Sequence, residues 1–154
     1  MEKIMVLGIG NQLMMDDGIG IYLVEELKKR ECTSNISYLV GESDIDYCIE
    51  QIEGASFVII LDAVISGKEP GDISNYPLAN LHQHERLDIS PHNLHLFHVL
   101  ANEKDKIKGF LIGVEPYEIR FHIGLSQTLH QKWDLLIDNV KVAIKNIITK
   151  KKED

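Results

Sequence analysis

Phe57 to Leu61 reads FVIIL, five apolar residues in a row with Asp62 directly after them. No polar residue alternates with them, so a strand made here is buried on both faces and needs cover on both. IMVLGI near the start of the chain and GFLIGV in the second half have the same character. After Asp16 the period changes. Ile19, Ile21, Leu23, Val24 and Leu27 suit a helix running to about Arg30. ISYLVG, Ile36 to Gly41, reads as a second strand, and DIDYCIEQI as a short helix. GDISNYPLA alternates and carries a proline, which confines it to a sheet edge or a hairpin. SPHNLHLFHVLAN opens with Ser90 as N-cap and Pro91 at the first helical position. Leu129, Trp133, Leu136, Ile137, Val140, Ile144 and Ile147 form one face of a last helix expected from about Ser126 to Ile148. Strands alternating with helices predict a single α/β domain over residues 1–154, a mostly parallel sheet covered by helices on both faces.

Charge and cysteine content narrow the function classes. With 154 residues, 26% of them charged and a formal net charge of −8, the chain disfavours nonspecific binding to nucleic acid or an anionic membrane. Cys32 and Cys48 have no CxxC spacing, which argues against a disulfide framework or a structural zinc site. No apolar run approaches the roughly 18 residues of a membrane span, and Ile4 to Ile9 is short for a signal-peptide core. A cytoplasmic protein is expected.

GIGNQLMMDDGIG, Gly8 to Gly20, sits between the first strand and the first helix and offers two readings. A dinucleotide fingerprint needs G-x-G-x-x-G, but Leu13 occupies the third glycine position, and Asp16 and Asp17 would oppose a phosphate. No G-x-x-x-x-G-K-[ST] loop is present either. An aspartate at a helix start also serves as a cap, which accounts for one of the pair. Gly18 and Gly20 would let another backbone or a ligand come close.

Two further residues shift the balance toward a metal. Asp62 ends a buried strand, where an ionised carboxylate must be paired, hydrogen-bonded or coordinated. His92 falls in the first turn of the helix opened by Ser90 and Pro91. Ligands of α/β sheets bind beyond the carboxyl ends of the strands. Two carboxylates and an imidazole gathered there suit a divalent transition metal. The remaining histidines fit less well. His92, His95 and His98 drift by about 60° per step on a helix, so His95 and His98 read as structural or surface residues. His82 and His84 read as loop residues in solvent, and His122 either lines the site or packs. No G-x-S-x-G, H-E-x-x-H or paired Cys–His arrangement marks a familiar protease.

GIGNQLMMDDGIG, FVIILDAV, SPHNL, FLIGVEP and HIGLS, in this order over nearly the whole chain, resemble the hydrogenase maturation endopeptidases. The resemblance implies a twisted α/β sheet between helices. It also implies removal of a C-terminal extension from the large-subunit precursor of a nickel–iron hydrogenase once nickel is inserted. The family's metal-binding acid, aspartate and histidine fall on Asp17, Asp62 and His92. Asp17 is then also a candidate catalytic group, and Asp16 a candidate to handle a proton. The implied cofactor is nickel, delivered by the precursor, with other divalent ions able to substitute and no organic cofactor. The implied partner is the nickel-loaded precursor, with no nucleic acid and no membrane. Rival readings are a metal-dependent chaperone that recognises the loaded precursor without cutting it, and a small nucleotide-binding enzyme. One departure stands out. The family commonly has G-G-[TS] after the second strand, whereas this chain has Gly41, Glu42 and Ser43. Glu42 is expected to restrict positive φ and to add a charge beside the substrate cleft.

Overall fold

The three apolar runs lie side by side in the computed structural model, which describes residues 3–30, 35–42, 44–83, 96–97 and 108–153. Strands β1 (Ile4–Ile9), β2 (Ile36–Glu42), β3 (Phe57–Ala63), β4 (Ile73–Pro77) and β5 (Lys108–Val114) form one sheet in the order β2-β1-β3-β5-β4. All neighbours are parallel except β4, which runs antiparallel to β5 at the edge. Every residue of β1 and β3 is buried, as continuous apolar runs require. β4 is the proline-bearing segment, and Pro77 ends it on the edge.

The pleat divides the core in two. Ile4, Val6, Phe57, Ile59, Leu61, Ile112 and Val114 face helices α1 (Ile19–Arg30), α3 (Gln127–Gln131) and α4 (Trp133–Glu153). Met5, Leu7, Ile9, Val58, Ile60 and Leu111 face α2 (Ile45–Ile52), the 3-10 turn Leu78–Gln83, and Leu96 with Phe97. The division follows from topology. The chain steps from β1 to β2 on one side, then returns past β1 to β3 on the other. Right-handed crossovers in opposite directions put α1 and α2 on opposite faces. The strand order therefore reverses between β1 and β3, and the crevice beyond their carboxyl ends is where such sheets bind ligands.

Two boundaries differ from expectation. The final helical segment breaks at Lys132, whose amide bonds Leu129 O at 3.1 Å in a tighter i to i−3 turn. Lys132 Nζ is also fastened to Pro70 O at 2.7 Å, and α4 then continues to Glu153, past Ile148. The helix opened by Ser90 and Pro91 lies outside the described residues; of its stretch, Leu96 and Phe97 are described, helical and buried.

The glycines of the first loop let α1 touch the sheet backbone to backbone. A Cβ on Gly20 would overlap Leu61 O and approach Ile9 O, and a Cβ on Gly8 would overlap Gly20 O. Rigid carbonyls cannot yield as a side chain does. Gly20→Ala should therefore lower stability by about 3 kcal/mol or more, read as a reduced urea midpoint with little change in slope.

Candidate functional site

Asp16 and Asp17 lie on a 3-10 turn, Met15–Gly18, between β1 and α1. Their environments are opposite. Asp16 is fully buried and accepts four hydrogen bonds, from Tyr117 N (2.9 Å), Glu118 N (3.0 Å), Ser126 N (2.7 Å) and Ser126 Oγ (2.7 Å). Four donors saturate a carboxylate's ordinary acceptor sites. Ser126 Oγ in turn caps α3 by accepting from Leu129 N. The surroundings of Asp16 thus make it an anchor for the 117–126 segment, and give no support to the proton-handling role considered from sequence. Neither do they match a cap of α1, because its acceptor sites face a segment more than a hundred residues away.

Asp17 is the aspartate with solvent access. Half-buried, it accepts from Asn11 N at 3.1 Å. Desolvation raises its pKa, and the Asn11 hydrogen bond offsets part of that rise. Between these residues the chain doubles back tightly: a Cβ on Gly10 (φ +138°) would overlap Asp17 O. Met15 holds φ +53°, a left-handed conformation that is costly for a residue with a Cβ. It is secured by a bond from Met15 N to His122 O (2.8 Å), beside one from His122 N to Leu13 O (2.8 Å). The space beside these glycines is occupied by the chain's own carbonyls, which removes the bare backbone a pyrophosphate would need.

Asp62 is also buried, on the penultimate residue of β3, with Oδ1 accepting from Ala63 N at 2.8 Å. Gly8 pairs with Leu61, so Asp62 stands one residue beyond that pair, at the level where β1 exits toward the aspartate turn. Asp17 and Asp62 thus share the carboxyl edge at the β1–β3 reversal. His92 lies outside the described residues, as do His84, His95 and His98. Among the described residues, no three His, Cys, Asp or Glu side chains are grouped to hold a metal ion. His122 is exposed and joins the turn through its backbone.

Glu42 adopts φ +52° despite its side chain. The left-handed turn that a glycine would favour is kept, contrary to the expected restriction. The reason is pairing. Register shifts between Gly8 and Ile9, Glu42 pairs with Ile9, and Glu42 O accepts from Gly10 N at 3.1 Å. The turn is braced on its other side by Asp44, which caps α2 through Tyr47 N, and by buried Cys48, whose thiol donates to Gly41 O. Burial, with Asp44 nearby, pushes that thiol up to about 11, far from nucleophilic at neutral pH.

Two anchors were not singled out by sequence reasoning. Glu115, within FLIGVEP, is buried at the end of β5 and accepts from Ser66 N, Ser66 Oγ and Lys68 N. From sequence, Ser126 is only a helix start. A serine that both caps a helix and donates to a distant carboxylate has no local signature beyond the cap.

A raised carboxylate pKa means the folded state binds its proton more tightly than the unfolded state, so stability falls as pH rises from the unfolded value through the folded one. Asp17→Asn should therefore raise the Tm at pH 7, and the gain should shrink as pH falls toward 4. Asp16→Asn should lower the Tm. An amide nitrogen facing N–H donors costs about 2–4 kcal/mol, read as a lowered Tm in the same melts. Glu42→Gly should be neutral to stabilising by up to about 1 kcal/mol.

Comparison with known proteins agrees with this architecture. The hydrogenase maturation protease family (HycI) matches residues 21–143. The hydrogenase 2 maturation protease of Escherichia coli is 31% identical over 150 residues, covering 93% of this chain and 91% of that protein. The structure of the hydrogenase maturating endopeptidase HybD from Escherichia coli superposes with a TM-score of 0.78 at 28% identity, covering 94% of this chain and 93% of that one. The HycI maturation protease of Thermococcus kodakarensis shares the fold, with a TM-score of 0.72 at 23% identity over 94% and 93% of the two chains. The chain therefore belongs to the hydrogenase maturation protease family, and its activity is peptide hydrolysis.

Proposed function

We propose that this chain removes the C-terminal extension of a nickel–iron hydrogenase large-subunit precursor after nickel has been inserted. We further propose that Asp17, Asp62 and His92 recognise the nickel, working in the cytoplasm. The observation that carries the site is the placement of Asp17 and Asp62 at the carboxyl edge where strand order reverses, beside family membership over most of the chain. Nickel is here part of the substrate. Two carboxylates and an imidazole are a donor set suited to a divalent first-row ion.

The chain's own contribution is orientation and electrostatics. Asp17 is penalised by desolvation when ionised, so an arriving cation relieves that penalty and binds more favourably than at a fully solvated carboxylate. Asn11 N holds one oxygen of Asp17, and Ala63 N one oxygen of Asp62, limiting the geometry each can offer. Asp16 fixes the turn without touching substrate in this scheme. Seating the loaded precursor on these groups aligns its scissile peptide in the crevice, converting encounter into a positioned reaction. Held between these residues, nickel of the precursor would supply Lewis-acid polarisation of the scissile carbonyl, or would serve only to report that the precursor is loaded.

Purified precursor, with and without nickel, tests this by intact mass. Loss of a short C-terminal peptide from the loaded precursor alone is expected. Asp17→Asn and His92→Ala should each slow cleavage at least tenfold. Unaffected cleavage in both variants removes the proposed site. Binding of the loaded precursor without cleavage favours the chaperone reading over cutting of this substrate.

A further inference from the structure

We propose that Leu13, Tyr117, Ile119, Phe121 and Ile123 form the surface that grips an apolar face of the large-subunit precursor beside its cleavage site. This inference rests on the precursor being the substrate, and it assigns a second set of residues to recognition. The side chains are unusually exposed for their size: Leu13 48%, Tyr117 59%, Ile119 40%, Phe121 77% and Ile123 72%. Single exposed apolar residues are normal, whereas a concentrated group marks an interaction site.

The backbone beneath them is fastened. Tyr117 N and Glu118 N bind the Asp16 carboxylate, Asp16 N binds Glu118 O, and His122 is bonded in both directions to the 13–15 segment. Ser126 closes the far end on the same carboxylate. Apolar side chains on such a platform lose little backbone freedom on docking, which is the main saving a preorganised interface offers.

The occupant follows from position and charge. Leu13 is four residues before Asp17, and the Leu13–His122 bond joins the apolar segment to the aspartate turn. A molecule seated on the patch therefore reaches the carboxyl edge directly. A second copy of this chain is disfavoured, since each carries a formal net charge of −8. The precursor is the partner whose reacting segment must come to that edge. Phe121 and Ile123 are the anchors to test, because they are the two members of the group that expose the largest fraction of their surface.

The test is a Phe121→Ser/Ile123→Ser double variant, measured for binding to nickel-loaded precursor by calorimetry and for cleavage kinetics. Both side chains lie largely in solvent, so the Tm should be unchanged. The expected result is a rise in Kd and KM of tenfold or more, with kcat at saturation within twofold of the native protein. A Kd within twofold of native overturns the proposal while leaving the protease reading intact. Lost binding by the variant, with native protein that binds but does not cut, upholds the patch and overturns the cutting of this substrate. Absence of native binding overturns both. Sedimentation that finds a dimer dissolved by the double variant, with precursor affinity unchanged, assigns the patch to self-association instead.

Discussion

Carbonyl oxygens are rigid and fixed in place, and the carboxyl edge of this sheet depends on how near they can come to one another. Gly20 lies against Leu61 O and Ile9 O, Gly8 lies under Gly20 O, and Gly10 lies against Asp17 O. These contacts seat the first turn of α1 directly on β1 and β3. A side chain at either Gly8 or Gly20 would lift the helix and carry the aspartate turn away from the end of β3. The position of Asp17 relative to Asp62 is thus a matter of backbone packing before it is a matter of electrostatics. The same packing fills the space that a nucleotide phosphate would need.

The turn itself shows how two adjacent, chemically identical residues acquire different work. Asp16 is withdrawn into a closed set of donors and becomes part of the framework. Asp17, one residue on, keeps solvent access and a single backbone donor. Its burial penalises the charged form of the carboxyl. Met15 in a left-handed conformation adds a second local cost. Strain and unfavourable ionisation side by side are common at sites that bind or react, where stability is given up for readiness.

Much of this was legible in the sequence because it follows from period and burial. β1, β3 and β5 announced themselves as apolar runs, and β4 was limited to an edge by Pro77. The carboxyl-edge placement of Asp62 followed from its position after a buried strand. What escaped is nonlocal. Nothing in MDDG distinguishes the anchor from the half-buried carboxylate, because the distinction is made by Tyr117, Glu118 and Ser126. The left-handed Glu42 was hidden for the same reason. Its conformation is imposed by a register shift against β1, overriding the preference of its own side chain. The break at Lys132 interrupts an otherwise continuous apolar stripe, and its fastening to Pro70 is again a distant contact.

The bonds to Asp16 span 101, 102 and 110 positions of the chain. Closing so long a loop costs entropy that is recovered only when both ends are in place. During synthesis the aspartate turn leaves the ribosome before its partners, which lie just ahead of α3 and α4. Until Ser126 has emerged, the carboxylate that shapes the turn lacks two of its four donors. The aspartate turn is thus made about a hundred residues before the donors that set its final geometry. A nascent chain that stops short of Ser126 therefore carries an incompletely held aspartate turn even when every described strand of the sheet has been made.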